Sequence, residues 1–127
     1  MGQPAAKQGD TITGTDMHII VPPSGTPFPT PLPFSGIIDG GLSTDVKING
    51  LPAATAGSTA TNTPPHIPPG GSFQKPPSNK ATIQAGSATV RINGRMAARA
   101  GDPAMTCNDP VDRPAGTVVA SGNVMIG

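Results

Sequence analysis

The sequence predicts an all-β fold built as a pseudo-three-fold ring of hairpin units. The phrase Val-x-Ile-Asn-Gly-x-x-Ala-Ala occurs at Val46–Ala54 and again at Val90–Ala98. A third copy is split between the chain ends, with Gly2-Gln3-Pro4-Ala5-Ala6 at the start and Gly122-Asn123-Val124-Met125-Ile126-Gly127 at the finish. A tail that completes its head closes a ring of three units. Composition excludes long helices: 17 Gly and 17 Pro in 127 residues, with no Glu, bring lost donors and ring clashes to nearly every ten-residue window. That Gly and Pro content alone would read as disorder, but a disordered chain has no reason to restore one strand-turn-strand phrase at fixed spacing.

The units share one order of elements. In the first full copy it runs Ile37-Ile38, a turn at Gly40-Gly41, a strand from Asp45 to Ile48, Asn49-Gly50, then Leu51 to Thr55. In the second it runs Thr82-Ile83-Gln84, Gly86, a strand from Ala88 to Ile92, Asn93-Gly94, then Arg95 to Arg99. Val46/Ile48, Val90/Ile92 and Val124/Ile126 alternate with Lys47, Arg91 and Met125, the period of a strand with one buried face. Asn-Gly between such runs marks a type I′ hairpin, because both central positions need positive φ. The pairs Ala5-Ala6, Ala53-Ala54 and Ala97-Ala98 fall at equivalent places, where backbones converging on an axis leave no room for a larger side chain.

Three excursions separate these phrases: Thr11–Ser35, Ser58–Lys80 and Asp102–Ala115. The first two are rich in Pro, as in Pro27-Phe28-Pro29-Thr30-Pro31-Leu32-Pro33 and Pro64-Pro65, and are expected to be stiff, extended loops. Each excursion holds one residue suited to binding metal. His18 lies nine residues after Gly9, His66 nine after Gly57, and Cys107 six after Gly101, and the chain has no other His or Cys. Three-fold closure brings all three to one end of the axis. Imidazole and thiolate suit tetrahedral zinc, and a core with 3 Phe, no Trp and no Tyr would gain folding free energy from such a staple. Taken singly, a lone Cys is a small buried hydrophobe and a lone His a surface residue; it is their equivalent placement that points to metal.

The remaining observations exclude other classes. Net charge is +1 with scattered basic residues and few aromatics, so neither a basic face nor stacking platforms for nucleic acid are present. The N-terminus lacks a signal-peptide pattern, no apolar run reaches membrane-spanning length, and a single Cys forms no internal disulfide. Folding in the cytosol is expected.

Pro4-Ala5-Ala6-Lys7-Gln8-Gly9-Asp10, Pro52-Ala53-Ala54-Thr55-Ala56-Gly57-Ser58 and Met96-Ala97-Ala98-Arg99-Ala100-Gly101-Asp102, with their flanking strands, resemble the Pro-Ala-Ala-Arg motif of the PAAR-repeat family over essentially the whole chain. The resemblance implies a small cone-shaped domain whose broad base docks on a trimeric spike of a contractile injection machine. Type VI secretion and phage-tail-like systems are the settings it implies. It further implies a point stabilised by a metal, usually zinc, with His18, His66 and Cys107 as ligands. The family usually supplies three His and one Cys, so the fourth position here is open to water, to a carboxylate such as Asp16 or Asp109, or to three-coordination. Lys7 and Thr55 replace the named Arg in two copies, leaving only Arg99.

These readings together imply a single domain over 1–127 with no fused effector, acting as a non-enzymatic, metal-stabilised tip that helps pierce a target membrane. The expected partner is a trimeric spike protein, one copy of this chain per trimer, with effector cargo attached by contact. The docking face is expected around Ile37–Gly41, Ile83–Ser87 and Val118–Gly122. The protein would assemble in the bacterial cytoplasm and be delivered at the particle tip outside the cell or into a target cell. The alternatives are an adaptor recruiting effectors through the Pro-rich loops, or a zinc hydrolase using a metal-bound water, which the lack of any Glu or spare His as general base argues against.

Overall fold

The computed structural model describes residues 2–127. The strands are β1 (Gln3–Pro4), β2 (Thr11–Val21), β3 (Phe28–Gly40), β4 (Lys47–Ile48), β5 (Leu51–Pro52), β6 (Thr59–Asn62) and β7 (Ser72–Phe73), followed by β8 (Lys80–Ile83), β9 (Arg91–Ile92), β10 (Arg95–Met96), β11 (Pro103–Thr106), β12 (Arg113–Val119) and β13 (Met125–Ile126). Among the described residues there is no helix, and so none long and apolar enough to cross a membrane.

The split repeat closes as the sequence predicts. Lys47 pairs with Pro52 and Ile48 with Leu51; Arg91 pairs with Met96 and Ile92 with Arg95. Met125 and Ile126 pair with Pro4 and Gln3, so the termini form the third hairpin in the same register. Asn49 and Gly50 have φ of 51° and 83°, and Asn93 and Gly94 have 52° and 79°, as a type I′ turn requires.

The three Ala-Ala segments form a cyclic ladder on the axis. The Ala6 amide donates to Ala98 O (2.9 Å), Ala98 to Ala54 O (3.1 Å) and Ala54 to Ala6 O (3.0 Å). Bridges Ala5–Arg99, Lys7–Ala53 and Thr55–Ala97 repeat around the same ring. All six alanines are buried, each ring position being filled by a neighbouring backbone. The ring divides two cores. Ala6, Ala54 and Ala98 pack with Ile12, Phe34, Ile38, Ile83 and Val118, whereas Ala5, Ala53 and Ala97 pack with Ile48, Ile92 and Ile126.

Above the ring stands a closed six-stranded barrel in the order β2-β3-β6-β8-β11-β12, with β12 returning to β2. β2, β6 and β11 lie within the excursions and β3, β8 and β12 join them to the repeat units, so the excursions are not the plain loops the Pro content suggests. Every neighbouring pair is antiparallel, so the connections 22–27, 63–79 and 107–112 all emerge at the end away from the ring.

The three-fold pattern breaks at that end. β2 and β3 pair all the way from Thr11–Ile37 to Ile20–Phe28, but β12 covers only Thr11–Gly14 of β2 and β6 only Gly36–Gly40 of β3. The upper half of this hairpin projects about 20 Å past the rim, braced near its tip by β7 against Ile20 and Val21. Pro29, Pro31 and Pro33 survive in β3 because of where their nitrogens face. The Ser35 amide points to the β6 side, where it donates to Asn62, so nitrogens at alternate positions 33, 31 and 29 face the same way, past the end of β6. No ladder bond is lost there, and the edge offers no donors to a foreign strand.

The motif's basic position has a local role in two copies. The Arg99 guanidinium pairs with Asp102 at 3.0 Å and the Lys7 ammonium with Asp10 at 3.2 Å, while those carboxylates also accept the backbone amides of residues 99 and 7. The middle copy replaces both partners: Ser58 accepts the Thr55 amide at 2.9 Å and donates to Gly41 O.

Candidate metal centre

The alternation of β2 turns Ile12, Asp16, His18 and Ile20 to one buried face. Asp16 and His18 therefore lie together at the root of the projecting hairpin. His66 arrives from the second excursion and Cys107 from the third, just past the end of β11. The four side chains place one ligand atom each within 4.8 Å of one another. The structure thus brings His18, His66 and Cys107 together and adds Asp16. Asp109, the other carboxylate considered, stands behind His18, its Oδ2 3.6 Å from Nδ1.

The donor set suits a divalent metal. Ligands of a tetrahedral zinc lie about 3.3–3.8 Å apart, from bond lengths near 2.0–2.3 Å. Cys107 Sγ is 3.4 Å from Asp16 Oδ2 and 3.6 Å from His18 Nε2, which matches that spacing. The His66 Nε2 to Asp16 Oδ2 separation is shorter, 2.7 Å, a direct hydrogen bond. Asp16 Oδ1 is buried without a hydrogen-bond partner, a cost that a nearby cation would offset. A carboxylate and a thiolate would neutralise a divalent ion, leaving no net charge in a buried site. A cavity of about 190 Å³ lies alongside, lined by His18, Lys75, Ser78, Cys107 and Asp109.

Burial dominates the electrostatics. It pushes His18 below the ordinary imidazole value of 6.5, against the opposing pull of Asp109. It pushes the Cys107 thiol above 9.0, and the Asp16 carboxylate adds to the rise. Without metal the site therefore holds a neutral imidazole at His18 and a protonated thiol, ready to exchange its proton for a cation.

Three asparagines and Asp109 fix these groups in place by accepting backbone amides. Asn108 Oδ1 and Asp109 Oδ2 accept the Met17 and Ile19 amides (2.7 and 2.8 Å), covering the part of β2 that β12 does not reach. Asn62 Oδ1 accepts the Ser35 amide of β3 at 2.9 Å, and Asn79 Oδ1 accepts the His66 amide at 2.9 Å. Phe73 packs edge-on against His18 and Phe34 against His66. Sequence reasoning singled out none of these asparagines. Asp16, one of the two carboxylates the sequence offered for the fourth position, lies two residues before His18 in a strand of period two and so shares its face.

The PAAR motif family model matches residues 31–111. The chain belongs to the PAAR-motif family. Neither the curated proteins nor the solved structures contain a match.

Proposed function

We propose that this protein is the metal-pinned tip that caps the trimeric spike of a contractile injection system and opens the way through a target membrane. One observation carries the reading: a single chain forms a base of three equivalent hairpins hydrogen-bonded in a ring, then tapers to one braced hairpin. A trimer presents the same surface three times, and a pseudo-three-fold base can meet each subunit with nearly the same residues. Val46, Val90 and Val124 occupy equivalent positions at 36, 36 and 37% exposure, a repeated apolar contact for such a partner. They flank the turns expected to dock and make the hairpins themselves the preferred face.

In this reading the base recognises the spike while Asp16, His18, His66 and Cys107 hold a zinc ion that ties the second and third excursions to the projecting hairpin. The ion's contribution is structural cross-linking. Asp16 supplies the fourth ligand, so the reading needs no open position for a metal-bound water and assigns no catalysis. A second reading, an adaptor for effectors, is favoured by one feature: an apolar groove of about 250 Å³ along Leu32, Pro33, Pro64, Pro65 and Ile67. The two are compatible.

The test is copurification with a candidate trimeric spike protein. One copy per three spike subunits is expected, lost when Val46, Val90 and Val124 are all changed to Asp. A stable self-trimer of this chain with no affinity for such a spike would refute the reading.

A further inference from the structure

The two histidines of the cluster are held in different ways, and the difference lies in the groups behind them. The nearest group behind His18 is a carboxylate: Asp109 Oδ2, 3.6 Å from Nδ1. That placement favours a proton on Nδ1 and leaves the Nε2 lone pair aimed at Cys107, the form that binds metal. His66 has an amide behind it instead. Asn62 Nδ2 lies 3.2 Å from His66 Nδ1.

Which end of the Asn62 amide is nitrogen follows from two fixed neighbours. Its oxygen accepts the Ser35 backbone amide at 2.9 Å. Its nitrogen faces Asn79 Oδ1 at 3.2 Å, and that atom must be oxygen because it accepts the His66 backbone amide. The amide therefore donates to His66 Nδ1, which must accept, and the ring proton of neutral His66 resides on Nε2. From there it donates to Asp16 Oδ2 across the 2.7 Å contact.

We infer that Asn62 is a positioning residue that holds His66 in the non-ligating tautomer, so that metal uptake requires the Asn62 amide to turn over or let go. The inference rests on the metal reading above. It makes His18, Asp16 and Cys107 the preformed part of the site and His66 the ligand that joins last. In chemical terms, Nε2 gives up its proton and its lone pair to the cation while Nδ1 takes a proton, and Asn62 must then present its oxygen rather than its nitrogen.

Nitrogen-15 and carbon-13 NMR of the full chain, metal-free and then with zinc chloride, tests this. In the metal-free wild type at pH 7.5, His66 is expected as the Nε2–H tautomer and His18 as the Nδ1–H tautomer; His66 already carrying its proton on Nδ1 overturns the inference. Asn62→Asp places an acceptor behind Nδ1 and should reverse the His66 tautomer and tighten zinc binding about tenfold, the scale of outer-layer effects on metal sites. Unchanged or weaker affinity in that variant overturns the gating role. Asn62→Ala removes the donor without adding an acceptor, and a mixed tautomer is expected there. Absence of zinc uptake by every protein would overturn the metal reading itself, while an Nε2–H signature in the same sample still upholds Asn62 as the group that sets the tautomer.

Discussion

Asp16→Asn isolates the carboxylate that completes the cluster. The side chain is fully buried and its Oδ2 accepts from His66 and Cys107, so the isosteric amide keeps shape and can still accept with its oxygen. The metal-free variant should lose about 1 kcal/mol, the scale of one hydrogen bond weakened by loss of charge. The zinc response should change far more. At free zinc a thousandfold above its dissociation constant, the wild type gains about 4.1 kcal/mol. For a chain of this size that is about 16 °C in midpoint, at roughly 4 °C per kcal/mol. A neutral amide is a poor zinc ligand, and a loss of about a hundredfold in affinity removes about 2.7 kcal/mol of that gain, leaving a shift of about 6 °C. Calorimetric melts of both proteins, metal-free and at matched free zinc, read the difference directly. Equal zinc-induced shifts in the two would show that Asp16 is not a ligand and that the fourth position lies elsewhere.

Three further outcomes follow from other parts of the fold. Ala54→Leu, on a ring position with no exposed surface, should cost about 1–3 kcal/mol by overpacking; a urea midpoint equal to wild type would remove the convergence argument. Changing Pro29, Pro31 and Pro33 together to Thr restores amide donors to an exposed strand edge and should produce dimers or larger species by light scattering, whereas a strictly monomeric variant would show that something other than the prolines guards that edge. Burial lowers the His18 pKa, so the unfolded state binds this proton more readily: metal-free stability is full above 6.5 and falls as pH drops below it. The raised Cys107 acts in the opposite sense, its contribution being full below 9.0 and lost as pH rises beyond. A plateau between those values is expected in thermal melts, and His18→Gln should flatten its acid limb between about pH 5 and 6.5; an unchanged limb in that variant would assign it to other groups.

The base and the meeting of His18, His66 and Cys107 were legible in the sequence, whereas the strands that form the tip were not, for one physical reason. A repeat encodes the same contacts three times, so Ile48, Ile92 and Ile126, or the Asn-Gly turns, corroborate one another within the sequence. The split copy joined the two termini into one unit, and the structure pairs Pro4 with Met125 there. The excursions have no such redundancy. Pro29, Pro31 and Pro33 read as loop because proline removes a ladder donor, and only the outward direction of their nitrogens, set by how far β6 reaches, makes them compatible with a strand. Once that stretch is read as loop, β2 has no visible partner, and the period-two relation that sets Asp16 beside His18 goes with it.

On the proposed function, that asymmetry bears on how the tip would carry load. A strictly three-fold chain would bring three equivalent ligands to the axis and leave the apex as three loop ends. Here one excursion supplies two of the four candidate ligands, Asp16 and His18, from adjacent inward positions of the strand that also forms the point. The other two excursions supply one each, together with the side chains that cover β2 where the barrel stops, Asn108 and Asp109, and the strand β7 that braces it higher up. An axial load on the hairpin would then pass through β2 into the barrel wall and sideways into two loops tied at its root. A metal held at that junction would resist splaying of the loops, the motion by which an unbraced hairpin would buckle.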